Sequence, residues 1–387
     1  MSAHPTPTST PIASTPEDAV WSAEGTTPDA IEGALRELLS ARARDIREDS
    51  AGGVVPARVM NMIVFVSAAR REEIVGRLGG VGRYHASRTV ILSYEPARER
   101  LDARVSVAHE GEAEGAGNGR DGQLALLRET VTVELGERHL DDLATIADPL
   151  VISDLPTLLW SPGGHPAAAD ELLGLAQAAL IDSTDETGGS SVGWHAAIER
   201  ACTLTGRVYV VDLAWLRSIP WRERVAATFD PPRMRAELAC LSGVRVSHHG
   251  DSTIAATLMV GWLASRLGWQ LDRARLLERA GSGGELAATA RAGGREIDLR
   301  LTPAPELTVP GLQGVELHSE SGLRVRLDRG PGGLRAHRRE RDGTERSWSL
   351  LGASRGERGI LGEGIRQALL RDPTYTPALH AANAMLP

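Results

Sequence analysis

Residues 153–166 read SDLPTLLWSPGGHP. Leu155 to Trp160 is an apolar run of strand length, too short for a helix. Pro156 stands near its start, where a strand does not need every N–H. The turn Ser161-Pro162-Gly163-Gly164-His165-Pro166 ends the run, and a helical pattern around Ala168–Ala178 follows. A strand, a glycine turn and a helix make one βα unit, and the pattern then repeats. AALIDS (178–183) leads to a helix at Val192–Leu204, RVYVVDL (207–213) to one through Trp215–Phe229, and VRVSHH (244–249) to one at Ser252–Leu267. Asp251 or Ser252 can cap the last helix, and Gly268 sits where a left-handed C-terminal residue belongs. Alternating β and α elements imply a parallel sheet covered on both faces.

Upstream the pattern differs. Ile31, Leu35, Leu38 and Leu39 recur at helical spacing after Pro28. RVMNMIVFVS (58–67) suits a strand buried on both faces. RTVILSY (88–94), LDARVSVAHE (101–110) and LALLRETVTVEL (124–135) read as further strands, with the glycine-rich GEAEGAGNGRDG (111–122) as a loop or hairpin tip. Near residue 285 the pattern changes, and five short segments between 294 and 351 read as closely spaced strands. Ile297, Leu299 and Leu301 face one way, while Glu296, Asp298 and Arg300 face the other. They predict an antiparallel meander with one wet side. A last helix over about Glu357–Leu370 stops before Asp372-Pro373.

The expected fold class is therefore α/β, in the mixed α+β sense. Residues 1–27, rich in Pro, Ser and Thr, read as a disordered tail. An N-terminal α/β domain with a mixed sheet spans 28–150. A βα-repeat domain spans 151–280. The meander and final helix, 281–371, extend that domain, and 372–387 read as a second tail. At 387 residues the chain exceeds one compact core.

Composition removes several functions. All 43 cations are arginine, with no lysine anywhere. A P-loop, a Schiff-base enzyme and a kinase each need a lysine. The net charge of −8 argues against nucleic acid as the main partner. No apolar run nears the ~18 residues of a membrane span, and the N-terminus lacks the pattern of a signal or transit peptide. The two cysteines, Cys202 and Cys240, fit a cytoplasmic protein and read as small core residues. There is no G-x-G-x-x-G in a strand–helix setting, no G-x-S-x-G, no H-E-x-x-H and no zinc-type cysteine pair. No catalytic residue, cofactor site or metal site is expected. His248 and His249, adjacent in a strand, point to opposite faces and suit one metal poorly.

Two groups of residues remain. Gly163 and Gly164 with Asp182 and Ser183 lie at strand ends, where parallel sheets hold ligands. They form a candidate crevice for a phosphate or a hydroxyl-rich ligand. A plain turn and helix cap explain the same residues. The second group draws on the eight tryptophans, set against four tyrosines and two phenylalanines. Trp and Arg are enriched at binding hot spots. Trp160, Asp212, Trp215, Arg217, Trp221 and Arg222 form a candidate partner-binding patch, although tryptophans spaced this way also serve as core.

Four stretches together are similar to the OpcA family of glucose-6-phosphate dehydrogenase assembly proteins. They are ADPLVISDLPTLLWSPGGHP (147–166), LIDST (180–184), VDLAWLRSIPWRERVAATFD (211–230) and GWLASRLGW (261–269). The resemblance runs from about Arg58 to the C-terminal helix. It departs at Ser161, which stands where the family often has a second Trp, and at His85-Ala86-Ser87-Arg88. It implies a non-catalytic partner that binds glucose-6-phosphate dehydrogenase and promotes its active oligomer. The rival readings are an α/β enzyme or sugar-phosphate sensor using the crevice near Gly163 and Asp182, and a structural subunit without a regulatory role.

Overall fold

The computed structural model describes residues 18–49, 58–79, 87–110, 126–185, 193–279, 282–351 and 356–386. It is a mixed α/β protein whose described residues fall in two compact units. The first draws on Met1–Ile63 and His85–Leu155, the second on Val64–Tyr84 and Pro156–Pro387.

The first unit contains β1 (Asp18–Ala23), α1 (Pro28–Asp49) and the start of β2 (Met60–Ser67). The chain passes into the second unit along β2 and through α2 (Arg71–Gly79). It re-enters the first unit at β3 (Ser87–Tyr94), followed by β4 (Asp102–Glu110), β5 (Leu126–Leu135) and α3 (Leu143–Ala147). β1 pairs antiparallel with β4, β4 antiparallel with β5, and β5 parallel with β3. The register lines up Val105, Val131 and Val90, all fully buried. α1 turns Ile31, Ala34 and Leu35 inward. Glu129 is fully buried on β5, clamped by Arg58 and by Arg88 Nε at 2.7 Å, so its charge is met twice.

The tail expected over 1–27 is corrected from Asp18 onward. β1 makes a six-residue ladder with β4, and Thr26 N–H donates to the Leu101 carbonyl at 2.8 Å. Backbone pairing to an open strand edge needs no apolar periodicity, which is why composition concealed it. The rest of that tail and the 111–122 loop lie outside the described residues.

In the second unit β6 (Thr157–Trp160), β7 (Ala178–Ile181) and β8 (Tyr209–Asp212) pair in parallel. The connections carry α4 (Pro166–Leu172) and α5 (Trp194–Thr205). The single helix expected through Trp215–Phe229 is two, α6 (Leu213–Arg217) and α7 (Ile219–Phe229), divided at Ser218 ahead of Pro220. A proline lacks the N–H that would continue the first helix. α8 (Pro232–Leu238) precedes β9 (Leu241–His248) and α9 (Thr253–Leu267). Gly268 closes α9 at φ 68°, as its sequence position signals. The expected side-chain cap is absent: Ser252 Oγ instead accepts the Gly311 N–H at 2.8 Å.

The chain then builds β10 (Gln270–Leu271), β11 (Arg275–Arg279), β12 (Ser282–Ala292), β13 (Arg295–Pro303), β14 (Leu312–Ser319), β15 (Arg324–Gly330), β16 (Gly333–Arg339) and β17 (Glu345–Leu351). It ends in α10 (Gly356–Leu370) and α11 (Tyr375–Asn383). The sheet runs β10-β12-β13-β9-β14-β15-β16-β17, with β11 also on β12. Two expectations fall here. β9 does not continue the parallel layer, and the late strands are not one unbroken meander. β9 inserts between β13 and β14, parallel to the former and antiparallel to the latter. Its burial explains the placement. Val244, Val246 and His248 are buried while Arg245 is exposed, as on a sheet with one wet face, whereas β6 and β7 are buried throughout.

The tail expected over 372–387 is also corrected. α11 packs on α9 and α5, with Tyr375, Ala378, Leu379, Ala382 and Met385 buried. A Cβ at Gly261 of α9 would collide with the Ala378 carbonyl, so a glycine is what lets the two helices meet.

Candidate functional site

All the residues of the predicted crevice and patch belong to the second unit. Trp160 ends β6 and is buried, with the Arg77 guanidinium 5.2 Å from its ring centre. The turn that follows places Gly163 at φ 89° and Gly164 at φ 78°. Two successive left-handed residues favour glycine. Arg70, just beyond β2, lies so close to Gly163 that a Cβ there would strike its Nη1. Arg70 donates to Glu73 at 3.2 Å and reaches Asp185 at 4.0 Å. The hydrogen bond to Glu73 holds its pKa above the ordinary value against burial.

Asp182 and Ser183 follow β7. Arg217, the last residue of α6, grips Asp182 with both terminal nitrogens, at 2.8 and 2.6 Å. Such a planar fork is the strongest geometry for an arginine–carboxylate pair. Ser183 turns to Asp212 instead, through its N–H at 3.2 Å and its hydroxyl at 2.7 Å. Asp212 ends β8 and caps α6, accepting the Ala214 N–H at 2.9 Å, and it also accepts the Tyr375 hydroxyl at 3.1 Å. Burial, aided by the Asp182 charge, pushes its carboxyl up to about 6, against the pull of its hydrogen bonds. Asp185, beside this group, is also pushed up, by burial and then by Asp182.

A second set of contacts ties the C-terminal segment to the same elements. Trp215 Nε1 donates to Asp372 at 2.9 Å, and its ring lies 3.4 Å beneath the Arg222 guanidinium. Arg222 donates to Ser218 Oγ at 3.0 Å and to the Trp215 carbonyl at 3.1 Å. Burial pushes its pKa down to about 10. Burial alone would raise the Asp372 pKa, but hydrogen bonds from Thr374 and Trp215 bring it below the ordinary value.

This overturns the exposed patch. Trp160, Asp212, Trp215, Trp221 and Arg222 are buried, and Arg217 spends its guanidinium on Asp182. The tryptophans bury large apolar rings, and the cations that sequence placed among them stack on or pair with their own fold. The crevice residues part into two groups. Gly163 lies against Arg70 and Gly164 faces open space, both exposed; Asp182 and Ser183 lie with Arg217 and Asp212. Sequence reasoning missed Arg70, Arg77, Asp372 and Tyr375. Of these, Tyr375 alone has a readable signal, as an aromatic residue in the Pro-Thr-Tyr stretch after α10. Cys202 and Cys240 are free thiols, and burial raises the pKa of Cys202, which keeps it a thiol.

The second unit and part of the first match known proteins. Residues 80–192 match the family model described as the glucose-6-phosphate dehydrogenase subunit N-terminal domain, and residues 208–379 match its C-terminal domain. Together the two span most of the chain. Among curated relatives, the protein named OpcA of the OxPP cycle from Synechococcus elongatus is 26% identical over 147 residues, covering 37% of this chain and 32% of the relative. Its namesake from Nostoc punctiforme is 27% identical over 147 residues, covering 37% and 30%. The matched stretch thus spans about a third of the length of these relatives. Among solved structures, a Gfo/Idh/MocA family oxidoreductase from Vibrio cholerae aligns at TM-score 0.42 and 12% identity, over 84% of this chain and 95% of that one. The WlbA (WbpB) dehydrogenase from Thermus thermophilus aligns at 0.42 and 14%, over 85% and 96%. At these scores the likeness carries no functional argument. No helix among the described residues is long and apolar enough to cross a membrane.

Proposed function

Because the chain belongs to the OpcA family of glucose-6-phosphate dehydrogenase assembly proteins, we propose that it binds that dehydrogenase and favours its active oligomer, without catalysing a reaction itself. The observation that carries this reading is the tandem match to both dehydrogenase-subunit domains, in order along the chain. The strand-end chemistry supports it. Asp182 and Asp212, the carboxylates best placed to act on a ligand, are engaged by Arg217, Ser183, Ala214 and Tyr375 of the same fold. A carboxylate held that way has little left to offer a substrate. An assembly factor works by preferring one conformation of its partner. A preference of about 2 kcal/mol shifts that equilibrium roughly thirtyfold.

The test mixes the purified protein with the dehydrogenase of the same organism and follows oligomer size and NADP+ reduction. The expected result is a larger population of the active oligomer, with a higher kcat, a lower glucose-6-phosphate KM, or both. Confirmed binding with unchanged kinetics and oligomer favours a purely structural subunit. Turnover of sugar phosphate by the isolated protein favours an enzyme. The close approach of Arg70 to the Gly163 turn keeps a sugar-phosphate sensor as a second reading. Calorimetric titration of the isolated protein with glucose 6-phosphate tests it.

A further inference from the structure

The nine-stranded sheet has one face of uncommon charge. On β9, Arg245 projects to the side opposite buried Val244 and Val246. Register sets Arg300 of β13 on one flank of it and Glu316 of β14 on the other. On β15, Arg324 and Arg326 project the same way between buried Val325 and Leu327, and β16 adds Arg335 and Arg339. The acids of this face are already taken. Asp328 holds Arg326 at 2.8 Å, Asp298 holds Arg300 at 3.0 Å, and Glu316 lies 3.2 Å from His318 Nε2.

Arg245, Arg324 and Arg335 are left exposed and without an ion pair among the described residues. Two of them also face like charge directly. Arg324 is the cross-strand partner of Arg339, which lies 4.0 Å from Glu345, and Arg245 that of Arg300, which holds Asp298 and Glu285, while Glu316 flanks Arg245 on its other side. Like charges directly opposite destabilise a sheet. Their field is felt locally: burial first lowers the His318 pKa, and Arg324 and Arg245 lower it further against the pull of Glu316. The chain as a whole carries −8, so these cations run against its general balance. Seven strands, β12 to β17 with β9 among them, at about 4.8 Å and about seven residues at about 3.3 Å, give a face of roughly 780 Å². That approaches the ~800 Å² each partner contributes to a standard interface.

We propose that this face, centred on Arg245, Arg324 and Arg335, docks an acidic protein surface, and that the surface belongs to the dehydrogenase. The second part rests on the functional reading above. Carboxylates from the partner supply the ion pairs that Arg245, Arg324 and Arg335 lack among the described residues, and the complementary charge steers the encounter.

The test compares wild type with the Arg245→Glu/Arg324→Glu/Arg335→Glu variant, and with the triple Gln variant should the first fail to fold. Binding to the dehydrogenase of the same organism is followed at low and high salt. Wild type should associate faster at low salt. The Glu variant should bind at least about tenfold more weakly, with its salt dependence lost or reversed and its melting temperature kept. Equal binding by variant and wild type overturns the docking face and leaves the functional reading standing. Wild type that fails to bind the dehydrogenase overturns the functional reading and this partner with it. Two other outcomes overturn the proposal. In one, wild type self-associates and the variant does not, while dehydrogenase binding is equal. In the other, a 20-base-pair duplex DNA is bound by wild type alone.

Discussion

Two parts of the second unit are dense in arginine and carboxylate, and they use them in opposite ways. At the ends of β7 and β8 the carboxylates of the network are buried or half-buried and have named partners: Asp182 with Arg217, Asp212 with Ser183 and Tyr375, Asp372 with Trp215 and Arg222. On the wet face of the nine-stranded sheet, Arg245, Arg324 and Arg335 have no ion pair among the described residues. The difference comes from water. A charge removed from solvent costs several kcal/mol unless it is paired, so a buried cluster is forced to be complete. A solvated charge carries no such obligation. Completeness at the strand ends therefore speaks of folding, and surplus on the sheet face speaks of association.

The sharpest way to break this contrast is at Trp215. Its ring lies beneath Arg222, beside Tyr375 at 5.6 Å, and its Nε1 holds Asp372. Trp215→Ala should cost about 4 kcal/mol, the scale for deleting a buried indole, and should loosen α11. Chemical denaturation measures the first effect, and amide exchange across 372–386 measures the second. A loss under about 1 kcal/mol would mean that the strand-end network is decoration.

Asp212 tests the same network by pH. Its folded value near 6 lies above the 3.8 of an unperturbed aspartate. The folded state thus holds the proton more tightly. The stabilisation is complete below the unfolded value and is lost as pH rises through the folded one. Wild type should shed roughly 3 kcal/mol, as an upper figure, between about pH 4 and 6.5, and Asp212→Asn should flatten that slope. Denaturation midpoints for both proteins across that range decide it.

How much of this was legible in the sequence follows the same division. The parallel strands announced themselves, because β6 and β7 are buried on both faces and read as unbroken apolar runs. The wet face of the late strands was legible from the alternation Ile297, Asp298, Leu299, Arg300, Leu301. What escaped was long-range. The exposed Arg245 between Val244 and Val246 is a local sign that β9 has one wet face, but its place between β13 and β14 is set by pairing that no local pattern encodes. β1 and α11 fall in segments whose composition reads as tail, because backbone pairing to β4 and a glycine seat at Gly261 leave little trace in composition. At the site, Trp and Arg suggested a surface, yet the same residue types form a stacked, buried cluster. Sequence gives their identity and not which side of the chain the water is on.

Asp182→Ala sharpens the comparison by removing the carboxylate that Arg217 grips with both terminal nitrogens. Arg217 keeps about a fifth of its side chain exposed, so it can turn partly to water. The expected loss is about 2 kcal/mol, below the usual range for breaking a fully buried pair. The variant should also lower the pH at which Asp212 titrates, since the Asp182 charge helps to raise it. A stability loss with an unmoved Asp212 titration would separate the two carboxylates into independent sites.

The smallest effect belongs to the sheet face, and its sign carries the information. Arg324→Glu places a carboxylate opposite Arg339 and next to His318 in the register, in place of a like charge. Cross-strand opposite pairs are worth a few tenths of a kcal/mol to about 1, and exposed ion pairs lie at the low end of that range. The folded protein should therefore keep its denaturation midpoint or gain up to about 0.5 kcal/mol, while losing affinity for its partner. Residues that serve the fold and residues that serve binding would then respond in opposite directions to the same kind of charge change. Should Arg324→Glu instead destabilise the protein by more than about 1 kcal/mol, the cations of this face are structural, as at the strand ends, and the distinction between the two regions fails.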